Sequence, residues 1–181
     1  MATVQPIRDT EAIENMKRVL KKNGQRDYML FVTGINTGLR ISDILKLKVS
    51  DVKNKTHITI KEKKTGKAKR LLLNATFKAE LDEYILDMED DSPLFKSQKG
   101  INKPICGIRA WGILNEAADK CGLTEIGTHT LRKTFGYHFY QQYKDVALLQ
   151  EIFNHSSPSV TLRYIGINSD IIDTAISKFN L

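Results

Sequence analysis

Residues 26 to 36, RDYMLFVTGIN, are apolar on nearly every side of a helix. A helix with no polar face must be surrounded by other elements. This segment therefore predicts a buried helix around which the rest of the chain packs. One partner is amphipathic: residues 11 to 22 place Ile13, Met16, Val19 and Leu20 on one side. Asp9 or Thr10 can cap its start and Gly24 can stop its end. A short helix is expected from Ser42 to Leu47.

From His57 the period changes. HITIK and AKRLLL flank the turn-rich KKTGK, which predicts a β-hairpin tipped near Gly66. Helical spacing returns over residues 75 to 88, with Phe77, Leu81, Tyr84, Ile85 and Met88. Pro104 is expected to begin a helix carrying Ile108, Trp111, Leu114 and Ala118. Thr128 is expected to cap a helix whose inner face holds Leu131, Phe135 and Phe139, and Asp145 to cap VALLQEIF. Ser157-Pro158 reads as a cap followed by proline at the first helical position, opening a helix through Tyr164. A last short helix from Ser169 carries an apolar stripe of Ile171, Ile172, Ala175, Ile176 and Phe179. The expected class is α+β, mainly α-helical, with one small antiparallel β-sheet. At 181 residues, without repeat or low-complexity linker, the chain is expected to form a single domain over residues 1–181.

Charge narrows the partners. Lys and Arg total 28 against 21 Asp and Glu, a formal +7, which suits an anionic polymer. The longest apolar stretches stay under ten residues, too short to cross a bilayer. The start, MATVQPIRDTEAIE, holds no apolar core of a secretory signal. Cys106 and Cys121 form no CxxC pair or Cys/His cluster, which excludes a structural zinc or disulfide scaffold and fits a reducing, cytoplasmic setting. The run from Glu80 to Asp91 has seven acids and no base, and reads as a solvated face turned away from an anionic partner.

Several basic residues could do chemistry. Arg40 follows TGINTGL in a loop between two expected helices. His129 and Arg132 are three apart in HTLR, so they share a face at the start of a helix, where backbone N–H groups and the positive pole also lie. His155 lies just past an expected helix end, and Tyr164 follows nine residues later. The hairpin KEKKTGKAKR has six bases and one acid. Such a set suits substitution at a phosphodiester. Paired guanidiniums hold the non-bridging oxygens, histidines donate hydrogen bonds and move protons, and a lysine can protonate a departing alkoxide. A tyrosine hydroxyl can be the nucleophile if its ionisation is assisted. TGINTG lacks the Gly-Lys-Ser/Thr of a nucleotide-phosphate loop.

Arg40 within TGLRISDILKL, then HTLR, then HSSPSVTLRYIGI resemble the catalytic domain of tyrosine recombinases, the phage-integrase family, from roughly residue 7 to 181. The family order is Arg, Lys on a hairpin, His-x-x-Arg, His or Trp, then Tyr. It falls here on Arg40, Lys64 (the lysine of KTG), His129, Arg132, His155 and Tyr164. The resemblance implies that Tyr164 attacks the scissile phosphate of double-stranded DNA, forms a 3′-phosphotyrosyl bond and frees a 5′ hydroxyl. Arg40, Arg132 and His155 would stabilise the transition state, His129 would assist proton transfer from Tyr164, and Lys64 would protonate the 5′ oxygen. Asp43 matches an acidic position that orients the cationic groups. The covalent link conserves the bond energy, so the resemblance implies no cofactor and no metal. It also implies other copies of the chain as partners, in a tetramer on paired DNA sites, with the C-terminal segment around Ile171, Ile172, Ile176 and Phe179 either docked in trans on a neighbouring copy or kept in cis.

Asn154 stands where the family usually has glycine, and Asn is the next-best residue for a left-handed turn. The family's N-terminal DNA-clamping and arm-binding domains have no room ahead of Arg40 and are expected to be absent. Each residue also has a plainer reading. Arg40 suits a helix-end ion pair, Lys64 a solvated turn, His129 a helix start, Arg132 a surface partner of Glu125, His155 a helix-end cation and Tyr164 a core tyrosine. His57 and His138 match nothing and read as structural. Two rival functions stand beside recombination: topoisomerase IB-like nicking and resealing, and a DNA-binding regulator that keeps the fold without turnover.

Overall fold

The computed structural model of this chain describes residues 4–61, 66 and 68–179. Among them the elements run α1 (Thr10–Asn23), α2 (Gln25–Thr37), α3 (Ile41–Ile44), a 3₁₀ turn (Val49–Asp51), β1 (His57–Lys61), β2 (Ala68–Leu72), α4 (Ala75–Tyr84), α5 (Gly107–Lys120), α6 (Thr128–Tyr143), α7 (Val146–Phe153), α8 (Pro158–Ile165) and α9 (Ile167–Ser177). The expected α+β, mainly helical class holds.

α2 is the buried centre. Met29, Leu30, Phe31 and Val32 are all at most 1% exposed, and α1, α4, α5 and α6 pack around them. Asp9 caps α1 through its carboxylate, which accepts from the Glu11 N–H at 3.0 Å. β1 and β2 pair antiparallel, with Ile58 opposite Leu71 and Ile60 opposite Lys69. Ile58 is the strand residue that plugs the core.

A second, smaller apolar cluster lies across α6, built from Leu149, Phe153, Ile165 and Ile167. α6 is the wall shared by the two. Glycines let it come close on both sides. A Cβ on Gly34 would sit 2.5 Å from Leu131, and one on Gly136 would sit 2.7 Å from both Phe153 and Ile165. Residues before α1 strap along α6. The Ile7 N–H donates to Thr134 Oγ1 at 2.9 Å, and His138 Nε2 bonds the Ile7 carbonyl at 2.9 Å, which gives His138 the structural role its sequence suggested. Arg8 then pairs with Asp170 of α9 at 2.8 Å.

Several expectations are corrected. α5 starts at Gly107, because Pro104 is taken up in an antiparallel bridge with Lys96. Its inner face is Ala110, Ile113, Leu114, Ala117 and Ala118, whereas Ile108 and Trp111 are 82% and 53% exposed. Both stripes have helical spacing; the alanines bring the backbone closer to α1 and α6 than large side chains would. α4 ends at Tyr84 rather than Met88, though Ile85 and Met88 still pack on the core. The short helix covers Ile41–Ile44 instead of reaching Leu47, and Gly127, not Thr128, is the residue before α6. In the acidic run, Glu80 accepts from the Tyr28 hydroxyl at 2.6 Å and Asp90 pairs with Lys53, while the other acids are exposed.

The contact at Gly136 makes a stability prediction. Gly136→Ala should lower the unfolding free energy by about 1–3 kcal/mol, because the new methyl overlaps Phe153 and Ile165 even though alanine favours helix. Gly112→Ala, in α5 with nothing nearer than Glu116 Oε1 at 3.7 Å, should be neutral or stabilising. Urea melts of both variants check the pair.

Candidate active site

Arg132 lies in the first turn and a half of α6 and is only 2% exposed. A buried guanidinium must be hydrogen-bonded. Its Nη1 donates to the Gly38 carbonyl at 2.5 Å and its Nη2 to the Phe153 carbonyl at 2.8 Å. Its Cζ lies 4.1 Å from the centre of the Phe153 ring. Both carbonyls belong to helix ends, where partial negative charge collects. Gly38 is the left-handed cap of α2, with φ 58°, and Phe153 is the last residue of α7. Arg132 is thus no surface partner of Glu125; it binds the end of α2, the end of α7 and α6 together.

Those joined ends carry the other expected residues. Arg40 is two residues beyond Gly38 and caps α3, its carbonyl accepting from the Asp43 and Ile44 N–H groups at 2.8 and 3.0 Å. Asp43, one helical turn on, is 3% exposed. Beyond Phe153, Asn154 takes φ 52° and ψ 47°, the left-handed cap that its amide side chain suits. That turn delivers His155, whose Nδ1 lies 3.1 Å from Thr161 Oγ1 and whose backbone N–H returns to the Gln150 carbonyl at 3.0 Å. Ser157 caps α8 by accepting from the Val160 N–H, with Pro158 at the first helical position.

Tyr164 stands in α8, half-buried. Its hydroxyl is 3.4 Å from Nδ1 of His129, the second residue of α6. Its ring meets His155 edge-on at 5.1 Å and Phe153 at 5.7 Å. Burial pushes the Tyr164 hydroxyl above the ordinary phenol value, while the charges of Arg132 and Arg40 and hydrogen bonding to Arg132 act the other way. Arg40, His129, Arg132, His155 and Tyr164 therefore converge. Lys64 lies outside the described residues; β2, which follows it in sequence, is fixed to α7 by Lys69 Nζ donating to the Ile152 carbonyl at 2.5 Å.

Three residues of the site escaped the sequence reading. Phe153 supplies the ring under Arg132 and Tyr164, Thr161 supports His155, and Lys133 places its ammonium 5.3 Å from the Tyr164 ring centre. Lys133 had a legible signal, since it lies four residues after His129 on the same helix face. Phe153 and Thr161 carry only the pattern of ordinary core residues.

Residues 8–170 match the model of the phage integrase family, and the chain belongs to that family. It is 55% identical over 179 residues to the probable integrase/recombinase YoeC of Bacillus subtilis (strain 168), covering 99% of this chain and 98% of that one. It is 29% identical to the tyrosine recombinase XerA of Pyrococcus furiosus, covering 94% of this chain but 60% of that one. Among solved structures, XerH site-specific recombinase bound to a palindromic difH substrate superposes with a TM-score of 0.75 at 22% identity, over 98% of this chain and 54% of that one. A lambda integrase dimer bound to a core site superposes at 0.72 with 16% identity, over 91% and 60%. At these identities the likeness is one of fold.

The role of Arg132 as a tie predicts a stability cost. Arg132→Leu keeps bulk but strands two helix-end carbonyls, and should lower the unfolding free energy by about 3 kcal/mol in urea denaturation. An unchanged midpoint would contradict that role.

Proposed function

We propose that this chain, taken over residues 1–181 as one catalytic domain, performs site-specific DNA recombination by cutting and rejoining strands through a 3′-phosphotyrosyl intermediate. The observation that carries the reading is the Tyr164 hydroxyl lying against His129 while Arg132 and Arg40 act on its charge. Tyr164 Oη attacks phosphorus, the bond from phosphorus to the 5′ oxygen breaks, and the phenolic proton passes to His129. Arg40, Arg132 and His155 hold the charge that builds on the non-bridging oxygens. Lys64, which falls between β1 and β2 in sequence, gives its proton to the departing 5′ oxygen. Rejoining is the reverse attack by a different 5′ hydroxyl. Asp43, buried one turn after Arg40, orients that arginine.

The substrate is double-stranded DNA, which the net charge of +7 favours, and the setting is the cytoplasm. Among the described residues no helix is long and apolar enough to cross a membrane. The functional unit is a tetramer on paired sites. Ile171, Ile172, Ile176 and Phe179 support it, because each is 56–68% exposed on or just after α9 and leaves an apolar stripe for another copy.

Nicked suicide substrates carrying candidate junction sequences test the chemistry on a denaturing gel. The wild-type chain should give an SDS-resistant adduct, and Tyr164→Phe should give none while binding DNA as before. An adduct in Tyr164→Phe, or none in the wild type, would contradict the proposal. DNA affinity should also fall steeply with salt as phosphate contacts release counterions; a flat titration would remove the basic DNA-facing surface.

A further inference from the structure

Lys133 follows Arg132 in α6 and is 8% exposed, an unusual place for an ammonium. Its Nζ donates to the Val4 carbonyl at 2.8 Å and stands 5.3 Å from the centre of the Tyr164 ring. The carbonyl it uses is itself held in place. The Gln5 N–H donates to the Glu125 carbonyl at 2.9 Å, and Ile7 is bonded to Thr134 and His138 on either side of its peptide. The N-terminal strap therefore anchors the ammonium, and the ammonium faces the ring.

A cation is drawn to the electron-rich face of an aromatic ring. A tyrosine ring that is losing its phenolic proton becomes richer in electrons, so the attraction grows as charge develops on the oxygen. An interaction stronger in the transition state than in the resting state speeds the step. We propose that Lys133 is a positioning residue for the nucleophile: anchored on the Val4 carbonyl, its ammonium holds the Tyr164 ring from its face and stabilises the negative charge that develops on the ring oxygen. This rests on Tyr164 being the nucleophile.

The groups around the pair are Arg132 and His129 from α6, Arg40 from the start of α3, His155 from the turn after α7, Arg8 from the strap and Glu125 from the segment before α6. Burial and then the charge of Arg8 hold the Lys133 ammonium below the ordinary lysine value, and Glu125 raises it. An arginine at this position stays charged throughout, which makes the comparison of a permanent cation with a neutral side chain decisive.

The test compares Lys133→Arg with Lys133→Gln, which keeps a donor for Val4 but no charge, and with Lys133→Met as a second neutral variant. Ionisation of Tyr164 is followed by NMR of isotope-labelled tyrosine in the free protein, with its signal assigned by its loss in Tyr164→Phe. Tyr164 should ionise about one pH unit lower in Lys133→Arg than in the neutral variants. On suicide substrates the neutral variants should form adduct about tenfold more slowly, with DNA affinity unchanged, and Lys133→Arg should restore the rate. Equal ionisation in the charged and neutral variants, or wild-type cleavage by Lys133→Gln, would overturn the proposal. An adduct that persists in Tyr164→Phe would instead sink the nucleophile assignment, and the NMR comparison on free protein keeps the two failures apart.

Discussion

The guanidinium of Arg132 is where this fold and its site meet. A cation removed from water is costly unless every donor finds a partner. Here the partners are the carbonyls of Gly38 and Phe153 and the face of the Phe153 ring. Because each carbonyl ends a helix, one side chain neutralises two helix termini and fixes the chain just beyond them. Arg40 lies two residues past one and His155 two residues past the other. The local satisfaction of a buried charge thus sets where the other cationic groups stand.

Close packing around α6 does the rest. Gly34 lets α2 reach Leu131 on one side, and Gly136 lets Phe153 and Ile165 reach the backbone on the other. Without the approach at Gly136 α8 would stand farther from α6, and the Tyr164 hydroxyl would lose its 3.4 Å contact with His129. The tyrosine is also gripped by its ring, between the edges of His155 and Phe153 and beneath the Lys133 ammonium. Its position is set by contacts from α6, from α7 and from the turn after α7.

Much of this was legible in the residues. The apolar run 26–36 announced the buried α2, the alternation from His57 announced the hairpin, and Ser157-Pro158 announced α8. Asn154 was readable as a left-handed cap because few other residues tolerate that conformation. The inner face of α5 was misread because hydrophobic size points to Ile108 and Trp111, whereas packing distance selects the small Ala110, Ala117 and Ala118. Convergence of Arg40, His129, Arg132, His155 and Tyr164 was expected by resemblance, since spacing along a chain says nothing about distances across it. The buried course of Arg132 and Lys133 was hidden for a physical reason: long basic side chains read as solvated until the carbonyls that satisfy them are placed.

The most direct measurement is to trap the chain on a nicked DNA substrate, digest the covalent complex and identify the nucleotide-bearing peptide by mass spectrometry. If the five converging side chains surround a single scissile phosphate, the nucleotide is found on Tyr164, in the peptide that begins after Arg163. A nucleotide on any other residue would contradict it.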